Sequence, residues 1–290
     1  MLTFLIALLA AFFLWEIAVI KVNLRLDATT RKRLFKAGGR FAIVALLVEF
    51  TESLVPQSGL SPAAHAAGHA LLMAAIPEEF IKFLAVLRFG KRELNATGPG
   101  IAVLLAVGTS LGFGVLESQF ASQGGDWMLR ALAALPMDAI FGFTMGSFMT
   151  FAWRVPGKTD ETMLLLALLV PTAFHFLFTF LLILHGLEPS LLWPLAALPA
   201  AMLLEGGFAL ILTNHAVNRL ADPPAPRRPV DPAGRRAFQF AGISLVLTLT
   251  ALVMAAEHAD LRALAPCAAL PLLFTLDLGL VALARAKGYT

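Results

Sequence analysis

The chain has 290 residues, of which 59% are hydrophobic and only 14% charged, where a soluble domain carries about 25% charge. Apolar runs of about 18 residues or more recur along its length, which excludes a soluble globular protein and points to an all-α polytopic membrane protein. The net charge is +3, but the cations sit in short loops between apolar runs, where they read as topology signals and not as a nucleic-acid surface. The single cysteine, Cys267, permits neither an intrachain disulfide nor a cysteine metal site.

Taken in order, the pattern predicts nine spans. Residues 2–20 are apolar apart from Glu16, with no basic residue before them and Lys21 after, which fits a retained first span better than a signal peptide. Residues 21–40 carry Lys21, Arg25, Arg31, Lys32, Arg33, Lys36 and Arg40 and read as a partly helical surface segment on the cytoplasmic face. The next spans are 41–55, 64–89, 100–120 and 128–153, punctuated by Pro56–Gly59, Gly90–Arg92, Gln123–Asp126 and Arg154–Lys158. Spans 163–185 and 191–213 follow, then an arginine- and proline-rich loop from Arg219 to Arg236, then spans 238–256 and 264–284. The chain is one membrane domain, 1–290, with a catalytic core at about 64–185. Nine spans put the amino terminus outside and the carboxyl terminus in the cytoplasm, and 19 of the 22 Lys and Arg then fall on the inner side.

Chemistry is expected where ionisable groups stand inside these runs. Glu78, Glu79 and Lys82 lie in the third span, and a charge at the bilayer centre costs about 2.5–3.5 kcal/mol on insertion scales. The spacing places Lys82 four residues from Glu78 and three from Glu79, within reach of both on a helix. Two adjacent acids sharing one ammonium form the pattern of an acid–base pair, one carboxyl accepting a proton and the other donating or orienting. In the fourth span Gly108 and Gly112 form a small-xxx-small stripe open to another helix, and Phe113 and Glu117 share a face. In the fifth, Asp138, Gly142 and Gly146 form one stripe, and Asp138 has no basic neighbour at helical spacing. The sixth carries His175. Counted at 1.5 Å per residue, these groups reach a similar depth in the outer-to-middle part of the bilayer. His65 and His69 read as interfacial hydrogen-bonding residues. Glu205 and Asp277 are intramembrane acids with no place in this set.

Glu78-Glu79-x-x-Lys82, Gly112-Phe113-x-x-x-Glu117 and His175, in order on successive helices, resemble the PrsW family of intramembrane proteases and the wider CAAX-prenyl-protease and bacteriocin-processing group. The likeness covers about residues 70–180. It departs at the next helix, where Asp138 stands in the place of the family histidine. The resemblance implies a multi-pass protein of the bacterial inner membrane that cleaves membrane-anchored substrates such as anti-sigma factors. One of Glu78 and Glu79 would be general base and the other proton donor or orienter, with Lys82 charge partner to the pair. His175 and Glu117 would position water, stabilise the oxyanion or bind a metal. A divalent metal such as zinc would take Glu79, Glu117, Asp138 and His175, but one imidazole is a poor zinc set, so the reading commits to no metal and to a glutamate-based mechanism. Phe113 and Asp138 are supporting residues. The competing readings are a prenyl-protein or leader-peptide processing protease, and a proton-coupled transporter or scaffold using the buried acids as relays.

Overall fold

The computed structural model describes residues 2–22, 28–33, 35, 36, 38, 40, 43, 60–97, 100–121, 133–155, 158–188, 190, 191, 193–218 and 272–282. Among them there is no strand. The helices are α1 (Leu2–Val22), α2 (Pro62–Gly68), a π-helical stretch (His69–Ala75), α3 (Ile76–Thr97), α4 (Ile101–Ala121), α5 (Leu135–Ala152), α6 (Glu161–Leu187), α7 (Trp193–Asn218) and α8 (Leu272–Ala282). Two segments, Glu161–Leu187 and Ala197–Val217, are long and apolar enough to cross a membrane. Their outward faces are apolar: Leu165 and Leu169 on α6 are 55% and 50% exposed, and Leu204 and Ile211 on α7 are 75% and 71% exposed. A continuous exposed apolar face of this kind suits lipid and not water. The expected spans at 41–55 (apart from Ile43) and 238–256 lie outside the described residues, as do the turn at 123–126, the loop cations from Arg219 to Arg236, and Cys267.

Helix α5 is the centre of the bundle. Every residue from Leu135 to Thr150 is buried, and α4, α6, α7 and α1 pack around it. Lipid tails are as apolar as leucine, so helices in a bilayer associate through close packing of small residues. Gly142 and Gly146 do this against α4: a Cβ on Gly146 would stand 2.4 Å from the Val103 Cα, and one on Gly142 2.8 Å from the Val107 Cα. The hydroxyls on α5 are spent locally. Thr144, Ser147 and Thr150 donate to the carbonyls of Ile140, Phe143 and Gly146 at 3.0, 2.7 and 2.8 Å, and Ser147 also meets Thr213 of α7 at 2.9 Å.

The rod from Pro62 to Thr97 carries the paired acids. Ser61 caps it, its Oγ accepting from the Ala64 N–H at 3.3 Å, with Pro62 at the first helical position. The helix then widens over His69–Ala75, and the Ile76 N–H bonds five residues back to the Leu71 carbonyl. Pro77 follows at once. A proline inside a helix supplies no N–H and its ring crowds the carbonyl four residues back, and a π turn is a common way of accommodating such a break. Helix α3 then runs to Thr97, past the expected end at Phe89. It packs between α4 and α6.

Two sequence expectations are corrected. Residues 28–33 are helical, in keeping with a partly helical segment, but the stretch beyond them is not confined to a surface: Phe35 meets Trp15 edge-on at 5.8 Å, and Phe35 and Gly38 lie against the middle of α4. A Cβ on Gly38 would come within 2.0 Å of the Thr109 carbonyl oxygen, and one on Gly112 within 2.3 Å of that of Phe35. Facing glycines remove both Cβ layers and let the backbones touch, so Gly112 receives this segment. Lys21, counted among the loop cations, is instead buried and ion-paired to Asp277 of α8.

Candidate active site

Lys82 is the hub of the site. Its side chain is fully buried, and Nζ donates to Asp138 Oδ1 at 2.7 Å and to Glu79 Oε1 at 2.9 Å, with Glu78 Oε2 at 3.6 Å. The α3 contacts follow from local spacing, because residues three and four apart stack on one helix face. The contact with Asp138 crosses to α5 and is the shortest of the three. The ammonium also stands 4.5 Å from the centre of the Phe113 ring and 5.9 Å from that of Phe141, within the range in which an aromatic face attracts a cation.

His175 joins the cluster from α6. Its Nδ1 is 3.0 Å from Glu79 Oε1, and its Nε2 is 4.0 Å from Glu78 Oε2. The ring stacks on Phe141, with centroids 4.9 Å apart and planes 16° from parallel. A Nδ1–H donated to Glu79 turns the Nε2 lone pair towards Glu78, the arrangement in which one carboxylate fixes an imidazole tautomer and leaves the other nitrogen for chemistry. Glu79 Oε2 is buried and makes no hydrogen bond among the described residues.

Asp138 reaches its place because α4 offers a glycine there. A Cβ on Gly114 would stand 2.3 Å from Asp138 Oδ2. Phe113 packs with Ile81 and Leu116 at the α3–α4 contact. Thus Glu78, Glu79, Lys82, Asp138 and His175 converge from three helices, with the Phe113 ring contributed by a fourth. Glu117 lies on α4 four residues, about 6 Å, beyond Phe113, and is partly exposed where the five converging residues are buried. His65 and His69 stack with each other at 6.4 Å. Glu205 is buried on α7, and neither of its carboxyl oxygens makes a hydrogen bond among the described residues.

Two contributors were not named from the sequence. Phe141 lies three residues after Asp138, on the same helix face, so a search for aromatic neighbours at i+3 would have found it. Gly114 follows Phe113 within a Gly-Phe-Gly run, but its role depends on which helix approaches, and no local signal carries that.

The model of one family, described as PrsW family intramembrane metalloprotease, matches residues 5–204. That range runs from α1 into α7 and takes in every residue of the cluster. No curated protein and no solved structure matches the chain.

Proposed function

We propose, for a chain that belongs to the PrsW family of intramembrane metalloproteases, that the cluster around Lys82 is its active centre and works through glutamates. Membership makes the chain an intramembrane protease acting on membrane-anchored substrates within the bilayer. The observation that carries the finer reading is the buried convergence of two adjacent glutamates, an imidazole and an ammonium from separate helices.

Hydrolysis needs a water, a base beside it and a proton for the departing amine. Glu78 is the general base in this reading, because its carboxylate faces the free nitrogen of His175. It takes a proton from water as the oxygen attacks the scissile carbonyl carbon. The same proton then passes from the Glu78 carboxyl to the amide nitrogen as the C–N bond breaks. His175 Nε2 accepts the second hydrogen of that water and fixes its position. Glu79 is the orienter, held by Lys82 and holding His175 Nδ1. Asp138 anchors Lys82 from the far side. Glu117, partly exposed on α4, positions water at the edge of the site.

The family description names a metal, and the donor set here does not fit one. Glu79 Oε1 and Asp138 Oδ1, two oxygens that an ion would need, each accept from the Lys82 ammonium. A dication placed among them would stand close to that positive charge. His175 is the one imidazole in the cluster, whereas zinc proteases supply at least two, and among the described residues no three His, Cys, Asp or Glu side chains form a metal-holding group. No step above passes through a metal.

The topology proposed with this function is nine spans in a bacterial inner membrane, amino terminus outside, supported by the one-sided distribution of loop cations; membrane-anchored anti-sigma-like proteins are the proposed substrates. Cysteines placed at 91 and 124 test the orientation: labelling from outside should reach 124 and not 91. The functional test is cleavage of single-span substrates by purified protein. Glu78→Gln should lower the rate about 10²–10⁴-fold while the protein still inserts, and cleavage at the wild-type rate would remove Glu78 from the mechanism.

A further inference from the structure

At the end of α5 away from Asp138, about 15–25 Å along the helix axis, a cavity of about 680 Å³ opens between α5, α6 and α7. That volume lies in the range of sites that enclose a ligand, about 300–1,000 Å³, and exceeds what a bare oxyanion fills. Its inner wall is apolar, formed by Phe151, Met163 and Leu212, and its outer rim carries Arg154 and Lys158. Both cations are exposed, and among the described residues neither forms an ion pair. Asp160 lines the cavity too, but its Oδ1 accepts from the Met163 N–H at 3.2 Å as the cap of α6. His215 completes the wall, its ring 5.8 Å from that of Phe151.

We propose that this cavity binds an anionic phospholipid, with the phosphodiester between Arg154 and Lys158 and the upper acyl chain against Phe151, Met163 and Leu212. The cations stand where the apolar helices α5 and α6 end, which is the level of lipid phosphates on a membrane-embedded bundle. Arginine offers a planar fork of N–H donors to phosphate oxygens and lysine a point charge, and basic pockets between helices at a membrane face are suited to anionic headgroups. The apolar wall behind the rim distinguishes the site from a soluble-anion site, since a free phosphate would leave it uncovered. A lipid seated here touches the ends of α5 and α6, the two helices that carry Asp138 and His175, far from either residue.

The test is native mass spectrometry of the full-length protein in detergent, titrated with phosphatidylglycerol or with phosphatidylcholine of the same acyl chains. Wild type should retain phosphatidylglycerol preferentially. The double variant Arg154→Gln/Lys158→Gln should bind it about 30-fold more weakly, about fivefold for each charge removed. The charge-keeping swap Arg154→Lys/Lys158→Arg should restore retention to within a few-fold, which separates loss of charge from loss of fold. Millimolar inorganic phosphate should leave the bound lipid in place. Equal retention of the two lipids by wild type, or equal retention of phosphatidylglycerol by wild type and the neutral double variant, would overturn the proposal. Displacement of the lipid by inorganic phosphate would overturn it as well and assign the rim to a soluble anion.

Discussion

Two lysines among the described residues are buried, and their surroundings differ in kind. Lys21, at the end of α1, meets Asp277 on α8, so the first helix is tied to a helix 256 residues away in sequence. Lys82 stands among Glu78, Glu79 and Asp138, with His175 bonded to one of those carboxylates. At Lys21 an ammonium meets a carboxylate and the contact fastens two helices. At Lys82 acid outnumbers base, and the surplus is connected to an imidazole that has a second nitrogen to offer. A bundle needs only the first arrangement for stability. The second buries groups that packing alone would not require, which supports the proposal that the cluster around Lys82 is the active centre.

The sharpest way to break this comparison is to neutralise one acid in each place. Glu79→Gln should reduce cleavage about 10²–10⁴-fold, because the neutral amide brings no charge to balance Lys82 and its NH2 can donate to Nδ1, so one His175 tautomer is no longer imposed, while Asp277→Asn should leave the cleavage rate of folded protein near wild type. Rates from purified protein at equal folded concentration read both. Stability should sort the lysines the other way. Asp277→Leu removes the carboxylate from a buried ammonium and should cost about 3–5 kcal/mol, and adding Lys21→Met should recover most of it, since apolar replacement of a whole buried pair is often neutral or better. Unfolding in mixed micelles measures that, and the matching pair Lys82→Met/Asp138→Leu should stay inactive however stable it proves.

Gly114→Ala probes the cradle without touching a charge. The new methyl would meet Asp138 Oδ2, and overpacking of this kind costs about 1–3 kcal/mol; cleavage should fall with it, because Asp138 must shift away from Lys82. Asp138→Asn should be milder than either glutamate change, about tenfold to a hundredfold for one weakened bond to a charged group, and chelators should leave the wild-type rate unchanged. Rapid inactivation by a chelator, reversed by a divalent ion, would overturn the metal-free reading. Ser147→Ala should be the smallest effect, about 0.6 kcal/mol, the mean for a side-chain hydrogen bond between helices in a bilayer.

What the sequence made legible was local. Lys82 had to face Glu78 and Glu79 because three- and four-residue spacings coincide on a helix, and the acids had to be buried because the run around them is apolar. The small-residue stripes on α4 and α5 announced close packing, and Gly112, Gly142 and Gly146 deliver it. What stayed hidden was tertiary. Nothing within α5 shows that Asp138 takes Lys82 as its cation, and nothing within α8 shows that Asp277 takes Lys21. A cation on one helix and an acid on another carry no shared local signal, so the sequence left both acids without a base. The basic segment after α1 misled for a related reason: its arginines and lysines pointed to a surface, while Phe35 and Gly38 between them pack against α4. Glu205 remains a buried carboxyl for which the described residues supply no hydrogen-bond partner.

The widened turn before α3 has a bearing on how firmly the paired acids are aimed. A π turn holds one surplus residue, and such a surplus can travel along a helix as each N–H trades its acceptor for the next carbonyl. Every such step would swing a side chain by about 100° about the axis. The trade requires an N–H, and Pro77 has none. The defect over His69–Ala75 is therefore stopped one residue short of Glu78. Any such migration is confined to the upstream side of the rod, while the carboxylates just past the proline keep their bearing on Lys82 and His175.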